Sequence, residues 1–178
     1  MLRNNANASI PVQGDSHQLP LQSSSFDLVF SSLMLQWCDP EKVFDEVYRI
    51  LKPGGQAVIS TLTTGTLFEL QSAWASVDDD QHIHQYLGES ELGRLVANQP
   101  WHSTQLQSET ICLQFKQVKD LAKELKQLGA NYVKGRKNKG LMTKNKWLTM
   151  ESAYREKYKQ NNGKIPATYQ VMYFVLEK

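Results

Sequence analysis

Residues 26–62 read FDLVFSSLMLQWCDPEKVFDEVYRILKPGGQAVISTL, and three segments stand apart within them. FDLVFSS is a short apolar run of β-favouring residues bounded by serines, the pattern of a buried strand. PEKVFDEVYRILK sets Val43, Phe44, Val47, Ile50 and Leu51 at helical spacing, with Pro40 near the first turn. Lys52-Pro53-Gly54-Gly55 then stops the helix, because proline cannot continue it and glycine supplies a left-handed cap. QAVISTL is a second apolar strand. Strand, helix, strand in this order predicts a right-handed crossover with parallel strands. Ligands of open parallel sheets lie beyond the carboxyl ends of the strands. That places residues 31–38 and 61–65 at the expected ligand edge.

Working outward, the 178 residues suffice for one domain with a real core. Hydrophobic residues at 40% and charged residues at 21% match a folded globular chain. A net charge of +2 gives no argument for nucleic acid. No apolar run approaches the roughly 20 residues of a membrane span. The first ten residues lack the basic start and apolar centre of a secretory signal. The two cysteines, Cys38 and Cys112, are far apart with no CxxC pair, which fits reduced thiols in a cytoplasmic protein and removes the usual cysteine zinc sites.

Before the opening stretch, residues 1–8 are polar and Asn-rich, residues 9–13 suggest a short strand ended by Gly14-Asp15, and residues 19–25 a connecting loop. After it, residues 67–77 carry Leu67, Leu70, Trp74 and Val77 on one helical face, ended by an acidic surface run, Asp78-Asp79-Asp80. Residues 89–98 read as a short helix capped by Ser90 or Gly88, and residues 100–104 as a linker. Residues 105–115 alternate, predicting an antiparallel edge strand with one wet face. Residues 118–128 carry the stripe Val118, Leu121, Leu125, Leu128, stopped by Gly129. NYVKGRKNKG, residues 131–140, is a basic loop. Thr143 can cap a helix running to about Gln160, with Trp147, Met150, Tyr154 and Tyr158 on its apolar side. YQVMYFVL, residues 169–176, is the last strand.

These residues resemble a known family. Gly14-Asp15, the Leu19-Pro20-Leu21 loop, the FDLV strand and the R-x-L-K-P-G-G turn from Arg49 to Gly55 are marks of class I S-adenosylmethionine-dependent methyltransferases. More narrowly, Leu33 to Cys38 before the helix, STL-x-x-G-T-L-x-E-L (residues 60–70) with Trp74, the stretch Leu125-Lys126, Gly129-Ala130, Gly135-Arg136, Leu141-Met142-Thr143, and Pro166-x-Thr168-Tyr169 are similar to the malonyl-[acyl-carrier protein] O-methyltransferases of biotin synthesis. The resemblance implies an α/β, Rossmann-like class I methyltransferase fold with a helical lid and an antiparallel C-terminal strand pair. It implies one domain over residues 1–178, with residues 9–65 as the sheet core and 66–178 as C-terminal helices, lid and last strands. It departs from the pattern in lacking the Gly-rich loop and the acidic end of the second strand, so the fold is expected to lack its first strands. The FDLVF strand then becomes an edge with unpaired backbone groups. Self-association, or a companion chain that supplies the missing strands, is the expected consequence.

The resemblance implies S-adenosylmethionine as cofactor and malonyl-loaded acyl carrier protein as partner, with no role for nucleic acid or membrane. Gly14 and Asp15 match the adenine side, and Ser31, Ser32 and Leu33 the methionine side. Asp15 reads first as the acid near the adenine amine and second as a turn residue, and the serines read equally as a strand-end cap. Gln36 and Trp37 could wall the acceptor pocket, Trp37 also being readable as core. Arg136 could pair with the malonyl carboxylate, and Lys134, Lys137 and Lys139 around it could steer an acidic carrier, or simply solubilise a loop. Tyr132, Trp147, Tyr154, Tyr158 and Tyr169 read as lid interior or core. His82 and His84 read as a solvated loop, since i, i+2 positions share no helical face. No catalytic residue and no metal is expected: a carboxylate is already nucleophilic at neutral pH, so alignment with the methyl carbon is enough, and Cys38 has no covalent task. The alternatives are another small-molecule methyltransferase, or a non-catalytic product or subunit.

Overall fold

The helix expected from the opening stretch forms as α1 (Pro40–Ile50), with Pro40 in its first turn and Glu41 near its positive end. Val43, Phe44, Val47 and Ile50 are buried on one stripe. The helix links β1 (Phe26–Ser32) to β2 (Leu51–Leu62), which pair in parallel, Val29 opposite Ala57 and Ser32 opposite Ser60. The structure, a computed structural model, describes residues 11–128 and 143–178. Ser9 and Ile10 of the expected first strand, Gly129, the basic stretch 131–140 with Arg136, and Leu141-Met142 lie outside the described residues.

The expected glycine cap does not end α1. Leu51 closes the helix in an extended conformation and is already the first residue of β2. The glycines act within the strand. From Phe26 to Leu28 β1 advances two residues, while its partner runs from Leu51 to Gln56. The extra length bulges, with Gly54 at φ +77°, and a Cβ on Gly55 would lie 3.1 Å from the Phe26 carbonyl oxygen. Proline and glycines after an amphipathic helix look the same in sequence whether they cap it or kink the next strand.

The sheet order is β1-β2-β4-β3, with β3 (Ser103–Phe115) and β4 (Ile165–Glu177) as the C-terminal pair. Glu109 meets Tyr173 and Thr110 meets Gln170 by side-chain hydrogen bonds, so these two strands run in opposite directions. β1 is an edge. Phe26, Leu28 and Phe30 share one of its faces, and Leu28 and Phe30 are 59% and 72% exposed. The first reading of FDLVFSS as buried therefore gives way to the edge expectation.

The chain divides into two units. The first comprises Met1–Ser60, Leu92–Leu106 and Phe174–Lys178. Its buried residues include the α1 stripe, Leu51, Ala57 and Ile59 of β2, Leu92 and Val96 of α2 (Glu89–Ala97 in its full extent), and Phe174 and Leu176. The Phe44 and Phe174 rings sit 5.7 Å apart. Arg49 binds the loop before β1. Its guanidinium donates to the carbonyls of Leu19 and Leu21, to Ser23 Oγ and to both oxygens of Glu46. Glu46 in turn accepts from the Leu19 amide. The segment expected as a linker is packed: Trp101 stands edge-on to Tyr48 at 5.0 Å, and β3 already starts at Ser103. Ser90 is inside its helix rather than capping it. Residues 11–14 are not a strand; an isolated bridge joins Asp15 and Gln18.

The second unit comprises Thr61–Glu91 and Gln107–Tyr173. Here α3 (Phe68–Trp74), α4 (Val118–Gln127) and α5 (Lys144–Tyr158) bury Leu70, Trp74, Val118, Leu121, Met150 and Tyr154 against Ile165 and Ala167. Thr143 caps α5 as expected, accepting from the Lys146 amide. α3 is shorter than the stripe 67–77 suggested, because Leu67 enters it in the left-handed region and the chain turns after Trp74. Leu128 is exposed rather than on the α4 stripe. β3 is wet along most of its length on both faces, so its alternation marks pairing more than burial.

Candidate functional site

The carboxyl end of β1 belongs to the first unit. Ser31 and Ser32 lie opposite Ile59 and Ser60. Leu33 then turns to φ +51°, a left-handed conformation unusual for leucine, held by its amide donating to the Ser60 carbonyl. Gln36 Nε2 donates to the Leu33 carbonyl at 2.7 Å, and Trp37, on a short 3-10 turn (Leu35–Trp37), is 40% exposed. Cys38 Sγ lies 3.2 Å from Ser16 Oγ and 3.2 Å from Met34 Sδ. Asp15 accepts from the His17 backbone and ring, and those bonds hold its carboxyl below the usual range. A Cβ on Gly14 would meet Pro20 Cδ at 2.5 Å, so a close turn accounts for this glycine. Arg136 is outside the described residues.

A cofactor tail is held by free amides at a glycine turn from strand to helix. Among the described residues one such turn contains glycine, residues 63–67 with Gly65 at φ +97°. Four of its five amides are engaged: Thr63 donates to Gln170, Thr64 to Leu87, Thr66 to Thr63 and Leu67 to Thr168. The described residues by themselves do not build a complete site for S-adenosylmethionine.

The turn does open onto a cavity of about 710 Å³ in the second unit. Thr64, Gly65 and Thr66 line one side, Gln71 and Trp74 of α3 with the following Ala75 another, and residues 78–87 the rest. The His82 ring stacks on Trp74, centroids 3.9 Å apart and planes 8° apart. His82 Nε2 sits 2.6 Å from Asp78 Oδ1, and Lys146 Nζ from α5 sits 2.6 Å from Asp78 Oδ2. The Lys146 ammonium and then the His82 bond hold the Asp78 carboxyl well below the ordinary range. Burial pushes the Tyr86 phenol up to about 12. The His82 side chain is 4% exposed, so the expected solvated loop is corrected: this is a built wall. The signal was Trp74, Asp78 and His82 at steps of four, hidden by attention to the His82–His84 spacing. Among the described residues no group of three or more His, Cys, Asp or Glu is placed to hold a metal ion. Among them, too, no helix is long and apolar enough to cross a membrane.

Comparison with known proteins places these features. Residues 1–59 match a family model described as a methyltransferase domain. The chain is 39% identical over 168 residues to the biotin biosynthesis bifunctional protein BioHC of Cellvibrio japonicus, covering 94% of this chain and 33% of that protein. It is 33% identical over 167 residues to the malonyl-[acyl-carrier protein] O-methyltransferase of Herminiimonas arsenicoxydans, covering 94% of this chain and 64% of that one. The Nitrosospira multiformis protein of the same name is 37% identical over 163 residues, 91% of this chain and 52% of that one. Among solved structures, the YcgJ protein of Bacillus subtilis superposes with a TM-score of 0.59 over 94% of this chain and 70% of that one, at 16% identity. The chain has an α/β fold of the class I methyltransferase type, and in sequence it is similar to the malonyl-[acyl-carrier protein] O-methyltransferases. It spans between a third and just under two thirds of the length of these three relatives. Two pairs of methyltransferase marks quoted from the sequence are physical couples. Arg49 of R-x-L-K-P-G-G holds the Leu19-Pro20-Leu21 loop. Glu69 of the STL motif, 1% exposed, accepts from the amide and hydroxyl of Thr168 in the P-x-T-Y motif.

Proposed function

We propose that this chain contributes the acceptor side of an S-adenosylmethionine-dependent methyltransferase that esterifies the free carboxylate of malonyl-loaded acyl carrier protein in cytoplasmic biotin synthesis. The observation that carries the reading is the 33–39% identity to the proteins of biotin synthesis over 91–94% of the chain. S-Adenosylmethionine supplies an electrophilic methyl group when bound. The carboxylate oxygen takes that methyl, so orientation and exclusion of water are what the chain's residues have to provide. In this reading Gly14, Asp15, Ser31, Ser32 and Leu33 border the cofactor, and Gln36, Trp37 and Arg136 face the acceptor.

The cofactor side is completed by a further segment, from the same or a companion chain, that pairs with the open edge of β1 and covers Phe26, Leu28 and Phe30. The bare face of that strand supports this. The test is calorimetric titration of S-adenosylmethionine into the chain alone and into a fusion carrying the part of the Herminiimonas arsenicoxydans relative that this chain does not match. We expect no tight binding to the chain alone. The fusion is expected to bind and to move labelled methyl to malonyl-loaded carrier, but not to free small acids. Transfer to small acids instead would make it a methyltransferase of another acceptor. A folded fusion that binds no cofactor would leave a non-catalytic chain.

A further inference from the structure

We propose that the cavity lined by residues 64–87 receives a neutral, amide-bearing thiol arm of the kind that carries an acyl thioester. The inference rests on the acceptor reading above and gives the arm that carries this acceptor a seat within the second unit. A carrier-bound acyl group hangs from a flexible arm with two amides separated by methylenes. The cavity suits such an arm in size: about 710 Å³ lies within the usual range of small-molecule sites.

Its chemistry narrows the class further. Thr64 Oγ1 donates to the Tyr86 carbonyl, and Thr66 Oγ1 bonds Gln170, so both hydroxyls frame the cavity. The side chains of Gln71 and Gln85 line it and make no hydrogen bond to another side chain or backbone group among the described residues, and each amide can donate and accept. Peptide-like amides on an extended ligand are the matching partners. Trp74, 7% exposed, adds a small apolar surface to the lining for methylenes and is held flat by the His82 stack and by the Asp78 and Lys146 bonds behind it. Asp79 and Asp80 on the lining disfavour an anion. The phosphate and the malonyl carboxylate at the two ends of a carrier arm therefore fall outside, and its neutral middle falls inside.

The test uses the whole chain and two kinds of probe. Pantetheine is titrated while the Gln71 and Gln85 side-chain amide signals and the Trp74 indole signal are followed by NMR. Acyl carrier protein with and without its phosphopantetheine arm is then compared for binding. We expect pantetheine to shift all three signals and the arm to tighten carrier binding. Ala75→Trp, which fills the cavity from just after α3, is expected to erase that gain, about tenfold if two amide hydrogen bonds are lost. Gln71→Glu is the milder second variant, and is expected to weaken pantetheine because a carboxylate accepts hydrogen bonds but no longer donates one. If pantetheine moves none of the signals, or Gln71→Glu and Ala75→Trp both leave the arm's gain intact, the inference is overturned. If spermidine shifts the signals and pantetheine does not, the cavity is a cation site and the inference is likewise overturned. Pantetheine binding without any carrier binding would uphold the cavity and sink the carrier reading instead.

Discussion

Tyr154 and Tyr169 show how differently two inward phenols can behave. Tyr154 is fully buried, and its hydroxyl donates to the Pro166 carbonyl at 2.6 Å. The Tyr169 hydroxyl is buried with no hydrogen-bond partner among the described residues. Removing a donor that has a partner strands the carbonyl, whereas removing one without a partner relieves a desolvated group. Tyr154→Phe should therefore cost about 1–3 kcal/mol, and Tyr169→Phe should leave stability unchanged or raise it by up to about 1 kcal/mol. Urea midpoints at constant slope would show this. The reverse order would mean that the Tyr169 hydroxyl has a partner and the Tyr154 bond is dispensable.

At the scale of elements, β1 carries the sharpest expectation. With Phe30 72% exposed on an edge strand, Phe30→Lys removes apolar surface that packs against little in this chain. It should change stability by no more than about 0.5 kcal/mol and lower any tendency to self-associate. Urea unfolding and sedimentation velocity check the two halves. A large loss of stability would mean that the face is covered. α1 and α5 were legible in the sequence because a burial stripe and a cap residue are local signals: Val43, Phe44, Val47 and Ile50 for one, Thr143 for the other. The ends of elements were not. The Gly54-Gly55 bulge needs the partner strand to be seen in full, since a Cβ on Gly55 would crowd the Phe26 carbonyl at 3.1 Å as well as the Lys52 carbonyl at 2.9 Å. The site was legible only where one strand made it. Ser31 and Ser32 follow from the end of β1, but the Asp78–His82–Trp74 wall depends on a chain reversal after α3 and on Lys146, far along in α5. Pairs such as Arg49 with the residue 19–23 loop, or Glu69 with Thr168, appear in the sequence only as separate motifs. What joins them is a guanidinium fork in one case and a buried carboxylate in the other.

For the molecule as a whole, the phenols displaced upward by burial are unevenly distributed. Tyr86 and Tyr169 are pushed up to about 12, and Tyr154 is also raised. All three belong to the unit formed by Thr61–Glu91 and Gln107–Tyr173. A phenol whose folded value is raised favours the fold fully below its unfolded value of 10.0, and that contribution is lost as pH climbs toward the folded value. The loss therefore falls between pH 10 and about 12, and it falls on this unit. The four tryptophans report on both units: Trp74 and Trp147 lie in this one, Trp37 and Trp101 in the other. With fluorotryptophan in all four positions, fluorine NMR should show Trp74 and Trp147 leaving their folded positions first as pH rises through that window. Absorbance at the phenolate band should rise in step with them, because ionisation and exposure of these tyrosines are one event. If Trp101 moved first, alkaline unfolding would be driven by groups outside the tyrosine-bearing unit. If all four moved together, the two units would unfold as one cooperative body, and the phenols would weaken both at once.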